Sequence, residues 1–103
     1  MRLSELDPEF IRHFDGGGHQ RVETMAEATG IKLLCPKCAS GDRHWIICWS
    51  PVVPQSIMPK PGRWNMQGSG FDDLSLVAGS SSVSLTSGCR AHFMVANGEV
   101  KFV

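Results

Sequence analysis

Two short stretches carry the residues best suited to chemistry, Cys35-Pro36-Lys37-Cys38 and Cys89-Arg90-Ala91-His92. Thiolates and imidazole are the donors a tetrahedral ion takes, and two intervening residues are the spacing of a metal knuckle. Cys35, Cys38, Cys89 and His92 are therefore expected to hold one ion between them. Structural Zn2+ is the expected cofactor, because thiolate-rich tetrahedral sites select it. Four protein ligands leave no open position for a reactive water, which argues against zinc catalysis. Alternative sets stay open at this point: His44 or Cys48 could stand in for His92 or Cys89 in a more local site, and an iron-sulfur cluster would use all four cysteines. Cys48 sits in an apolar run and otherwise reads as a small core residue.

Other reactive constellations are not supported. Cys48 and His44 share one face of a predicted strand but stand four residues apart, too far for a hydrogen bond along extended chain. Asp72 and Asp73 are adjacent and would point to opposite faces, so a turn or cap is expected there. Gly16, Gly17 and Gly18 lack the Lys-Ser/Thr of a phosphate loop and read as a plain turn. His13 and His19 flank that turn and are expected on exposed surface. No catalytic residues are assigned, and the chain is read as a non-enzyme.

The elements that position the knuckles can be read from the punctuation. A short helical turn is expected to begin at Ser4 or to restart after Asp7, burying Leu6, Phe10, Ile11 and Phe14. A short helix is expected over 21–29, stopped by Gly30. Residues 31–35 should form the strand into the first knuckle and 44–49 the strand out of it. The second of these is apolar on both faces and is expected to be central and covered on both sides. Residues 50–62 hold Pro51, Pro54, Pro59 and Pro61 and should be an extended loop. Strands are expected at 63–67 and 83–85, with a loop at 79–82. Asn97-Gly98 predicts a type I′ hairpin that sets Val95 opposite Val100 and Phe93 opposite Phe102.

The whole is expected to be one mainly β (small α+β) domain over residues 1–103, with a zinc-ribbon-like core, two metal knuckles, a C-terminal hairpin and short N-terminal helical turns. At 103 residues the apolar core is modest, so a metal crosslink is physically useful. Lys+Arg and Asp+Glu are both 10, and this formal neutrality argues against a nucleic-acid ligand held mainly by phosphate contacts. Trp45, Trp49, Trp64 and Phe71 with Arg43, Lys60 and Arg63 could still form a stacking surface for single strands, so a nucleic-acid module is the first rival reading. Without a long apolar stretch or a leader, the chain reads as soluble, not membrane-bound, unexported and so cytoplasmic.

Several ordered segments carry a resemblance: residues 3–11, Gly30 to Cys38, Pro61 to Trp64, Gly70 to Leu76, and Cys89 to Val100. Together they resemble the DUF6527-like family of small bacteriophage and prophage proteins of unknown function. The chain departs from that family's pattern at Val77 to Val83, where relatives carry a Ser-Pro-Ser-Ile stretch. The resemblance implies a compact zinc-binding β protein in which Cys35, Cys38, Cys89 and His92 match the ligands. From origin and size the expected role is a phage-encoded binding protein acting through protein-protein contacts on a host or phage partner, such as an inhibitor of a CRISPR system. A virion or assembly accessory is the second rival. The loops 50–62 and 67–82 are the expected binding face, because contacts concentrate on loops held by a rigid scaffold.

Overall fold

The fold was examined in a computed structural model, which describes residues 1–38, 41, 43–77, 82–85 and 89–103. It is mainly β. Nine strands, β1 (Glu9–His13), β2 (His19–Val22), β3 (Gly30–Leu34), β4 (Trp45–Trp49), β5 (Asn65–Gln67), β6 (Ser75–Val77), β7 (Ser82–Ser84), β8 (His92–Ala96) and β9 (Glu99–Phe102), make three antiparallel sheets. Their orders are β2-β1-β3-β4, β5-β6 and β7-β8-β9. Among the described residues the helical content is two 3-10 turns, Leu3–Leu6 and Met25–Glu27. Among the described residues no helix is long and apolar enough to cross a membrane.

Strands β3 and β4 carry buried residues on both faces, so they read as apolar runs, whereas β2 has none. Phe10, Ile31, Leu33, Ile46 and Cys48 face the main core, which also takes Leu3, Leu6, Leu74, Leu76, Val83, Phe93, Val95 and Val100. Ile11 and Trp49 face a second, smaller cluster closed by Val53 and Ile57 from the proline-rich loop. Gly30 sits opposite Trp49 in the β3–β4 register, and a Cβ there would come within 2.6 Å of the Trp49 ring. The missing side chain is what lets the indole lie across the sheet.

Three expectations about the elements are corrected. The N-terminal segment is a 3-10 turn that begins before Ser4 and becomes strand β1, leaving Phe14 exposed while Leu6, Phe10 and Ile11 are buried. Residues 21–29 are not a helix. The glycine turn, closed by Phe14 N–H to Gly18 O at 3.1 Å, folds His19–Val22 back on β1, and only Met25–Glu27 makes a helical turn. Pairing with β1 outweighs a helix propensity that is small per residue. Lastly, β4 is at the end of its sheet's hydrogen-bonded order, with Trp45 44% exposed, so it is an edge strand.

The C-terminal hairpin has the expected register, Phe93 with Phe102 and Val95 with Val100, although Phe102 is exposed. Asn97 (φ 51°) and Gly98 (φ 76°) are both left-handed, as a type I′ turn requires. Gly98 has a second duty. Its N–H donates to Leu74 O and its carbonyl accepts from Leu3 N–H, both at 2.8 Å, and a Cβ would collide with the Asp72 carbonyl. The chain's first residues are thereby stitched to β9, where Val100 N–H donates to Met1 O and Arg2 bridges Glu99. Of the loop expected at 79–82, residues 79–81 lie outside the described residues, and Ser82 opens β7.

Candidate metal centre

Strands β3 and β4 run into and out of the first knuckle. Leu34 pairs with Trp45, and Cys35 N–H continues the ladder to His44 O at 2.9 Å, so Cys35 and His44 stand directly opposite each other. Beyond Cys35 the chain turns tightly, with Cys38 N–H donating to Cys35 O at 3.2 Å, which returns the second thiol toward the first. Cys89 reaches the same place from across the molecule. Left-handed Arg90 (φ 54°) redirects the chain between Cys89 and the start of β8, and Lys37 Nζ donates to Cys89 O at 2.6 Å.

The result is a cluster of Cys35 Sγ, Cys38 Sγ, Cys89 Sγ and a His44 ring nitrogen, all within 4.8 Å of one another, which could hold a metal ion. Cys35 Sγ and Cys89 Sγ are 3.7 Å apart, and His44 Nε2 is 3.5 Å from Cys89 Sγ. The hydrogen bond with His44 is the main cause that draws the Cys89 thiol down to about 6, against the opposing effect of burial. The neighbouring Cys38 is pushed up to about 11, first by its contact with Cys89. The Cys38 and Cys89 thiols therefore shift in opposite directions and titrate together.

Three of the four expected ligands, Cys35, Cys38 and Cys89, are brought together with His44, and His92 lies outside the cluster. His92 is the first residue of β8, and strand alternation sends its side chain to the face opposite the buried Phe93. Its Nε2 lies 3.1 Å from Ser82 Oγ on the neighbouring strand. His44, the alternative the sequence offered for it, lies in the cluster. The register is the signal that favours His44, since a hairpin pairing 34 with 45 must pair 35 with 44 on one face. Cys48 stays out of the cluster. It is buried in the main core, and desolvation pushes its thiol up to about 12.

The other candidates separate in the same way. Asp73 caps a turn, accepting from Ser69 N–H and Gly70 N–H at 2.9 Å each and from Ser69 Oγ at 2.9 Å. Those bonds, Ser69 N–H foremost, hold its carboxyl below the usual range. His13 and His19 are half-buried, in contrast to the exposed positions expected for them. They pair across β1–β2 and meet the Trp49 ring edge-on at 6.2 and 6.0 Å, with His13 Nδ1 2.9 Å from Thr29 Oγ1.

Arg63 has a role the sequence did not suggest. Its guanidinium donates to the carbonyls of Val53, Pro54, Ile57, Pro59 and Gly62 at 2.7–3.0 Å. It thereby holds the proline-rich loop from inside, and burial pulls its pKa down. Arg43 is engaged with Asp7 at 3.3 Å.

A cleft of about 1050 Å³ opens beside the metal cluster. Cys38, His44 and Cys89 line one part of it, and the rest is lined by β4, β7, Trp64 and residues 58–62 of the arginine-held loop. No family model, no curated protein and no solved structure matches this chain.

Proposed function

We propose that this chain is a zinc-stabilised binding protein that acts through protein-protein contacts and carries no chemistry of its own. The observation that carries the reading is the closed donor set beside an open cleft. With Zn–S near 2.3 Å and Zn–N near 2.0 Å, tetrahedral geometry asks for edges of about 3.8 Å between sulfurs and about 3.5 Å between sulfur and nitrogen. The Cys35–Cys89 sulfur separation of 3.7 Å and the Cys89–His44 separation of 3.5 Å agree with these, two of the six edges, and all the donors lie within 4.8 Å of one another. An ion with four protein ligands has no vacant position for water or substrate, so its role is to join the first sheet to the start of β8.

The nucleic-acid reading has less support. Arg63 spends its donors on carbonyls and Arg43 is paired with Asp7, which removes two of the three cations it relied on. A role against a bacterial defence system, and a cytoplasmic site of action, rest on the resemblance to phage proteins alone.

Two measurements test the reading. Cobalt(II) substituted for zinc should give a tetrahedral three-thiolate, one-imidazole absorption spectrum that azide does not move; an azide-induced shift would mean an open coordination position and would sink the structural role. Cross-linked complexes from phage-bearing cells should retain a protein partner after nuclease treatment and in high salt. Loss of every partner under those conditions would transfer the assignment to nucleic acid.

A further inference from the structure

The cleft is bordered by two strand edges whose backbone groups can be followed. Cys35 N–H donates to His44 O and Ser50 N–H donates to Thr29 O, so His44 and Ser50 turn their backbone groups toward β3. Alternation along an antiparallel strand then turns Trp45, Ile47 and Trp49 outward. Trp49 O is used there, accepting from Trp64 N–H at 2.8 Å. Trp45 and Ile47 have no outward partner among the described residues.

The opposite border repeats this. Leu85 N–H donates to Ala91 O at 2.9 Å, which turns Leu85 and Val83 toward β8 and Ser82 and Ser84 outward. Ser82 O accepts from Trp64 Nε1 at 3.2 Å, so Trp64 spans from β4 to β7 and closes one end of the cleft. The metal cluster closes the other, through His44 before β4 and Cys89 beyond β7. Bare strand edges are normally covered or blunted, because they template pairing with another chain. Here two of them are kept apart at fixed ends.

We propose that the cleft takes an extended polypeptide segment of a partner by strand addition to β4. This rests on the protein-contact reading above and specifies the partner's chemistry. The outward N–H and C=O groups of Trp45 and Ile47 supply ladder bonds to the incoming backbone, and those of Ser84 face it from β7. Trp45, Trp64 and Met58 offer apolar surface to alternate side chains of the segment. The charge is complementary to an acidic segment: Lys60 lines the cleft, Lys32 lies 4.8 Å from the Trp45 ring, and no carboxylate lines it among the described residues. The loop wall is already held by Arg63, so little ordering is needed on binding.

The test starts with the free, zinc-loaded protein. In hydrogen exchange the amides of Trp45 and Ile47 should exchange far faster than those of Ile46 and Cys48; equal protection would mean the edge is already closed and would overturn the inference. The probe is then a displayed library of random decapeptides, selected on wild-type protein. Selected peptides should be apolar at alternate positions with an acidic residue, should protect the Trp45 and Ile47 amides, and should bind Ile47→Pro about tenfold more weakly, the loss of one good hydrogen bond. Ile47→Val, which keeps the N–H, should bind normally and controls for folding. Peptides that bind without protecting those amides would overturn strand addition and leave the protein-contact reading standing. Failure to select any peptide, with oligo-dT binding in its place, would overturn both.

Discussion

Two knots border the cleft, one a set of donors that could hold a cation and the other a cation the chain itself supplies. At one end three thiols and an imidazole converge from residues 35–44 and from Cys89 on a place where an ion fits. At the other, the guanidinium of Arg63 collects five backbone carbonyls from residues 53–62. The first knot joins parts of the chain that are distant in sequence and would depend on an exchangeable ion. The second is built in, and it organises only its own neighbourhood. On the proposed reading, a small domain with a modest core would use the exchangeable device for long-range closure and the permanent one for local shape.

The comparison predicts unequal costs. Chelation of the metal, or Cys89→Ser, should give the largest effect, a loss of several kcal/mol that abolishes cooperative thermal unfolding, since binding free energy at such sites is folding free energy. Survival of a sharp transition in the chelated protein would erase the difference between the knots. His44→Ala should lower metal affinity and stability together, whereas His92→Ala should keep one zinc per chain by elemental analysis. Zinc lost from the His92 variant alone would reverse the ligand assignment.

Arg63→Met should cost less than metal removal, on the order of 1–3 kcal/mol, because it leaves three part-buried carbonyl bonds without their donor. The denaturation midpoint should fall while zinc content stays unchanged. Replacement of His92 removes one hydrogen bond to Ser82 and should cost about 0.5–1.5 kcal/mol. The smallest effect belongs to Asp73, at neither knot. Its pKa is lower folded than unfolded, so its contribution is complete above its ordinary carboxylate range and disappears as pH falls through the depressed folded value. In Asp73→Asn that segment of the acid-stability curve should flatten, with a small loss at neutral pH that vanishes at low pH, where the wild-type carboxyl is itself protonated.

How far the sequence could be read follows from the range of the interaction. The 93–102 hairpin was legible because a two-residue Asn-Gly turn and one-sided burial both fix one register. Strand β4 was legible as a strand, but its apolar faces say only that both are covered, not whether its edges are paired, and it is an edge. The metal knuckle at 35–38 was legible from spacing. His92 lies outside the cluster because alternation within β8 governs its side chain and spacing from Cys89 does not, while the pairing of Cys35 with His44 follows from antiparallel register. The hub at Arg63 was not legible, since its partners are carbonyls, which every residue type carries.

The stitching of Arg2 and Leu3 to Glu99 and Gly98 also sets the order in which the chain can fold. The Arg2–Glu99 contact spans 97 positions in sequence, and a pairing so remote must wait for whatever first brings the two regions together. The Cys35–Cys89 contact spans 54 and would do so with a strong ion bond as its reward. Once that loop is shut, the remaining path between the ends is much shorter, and the entropy still to be lost in joining them falls. Zinc would then be a kinetic agent, and refolding with the ion present from the start should outpace refolding in which it is added last.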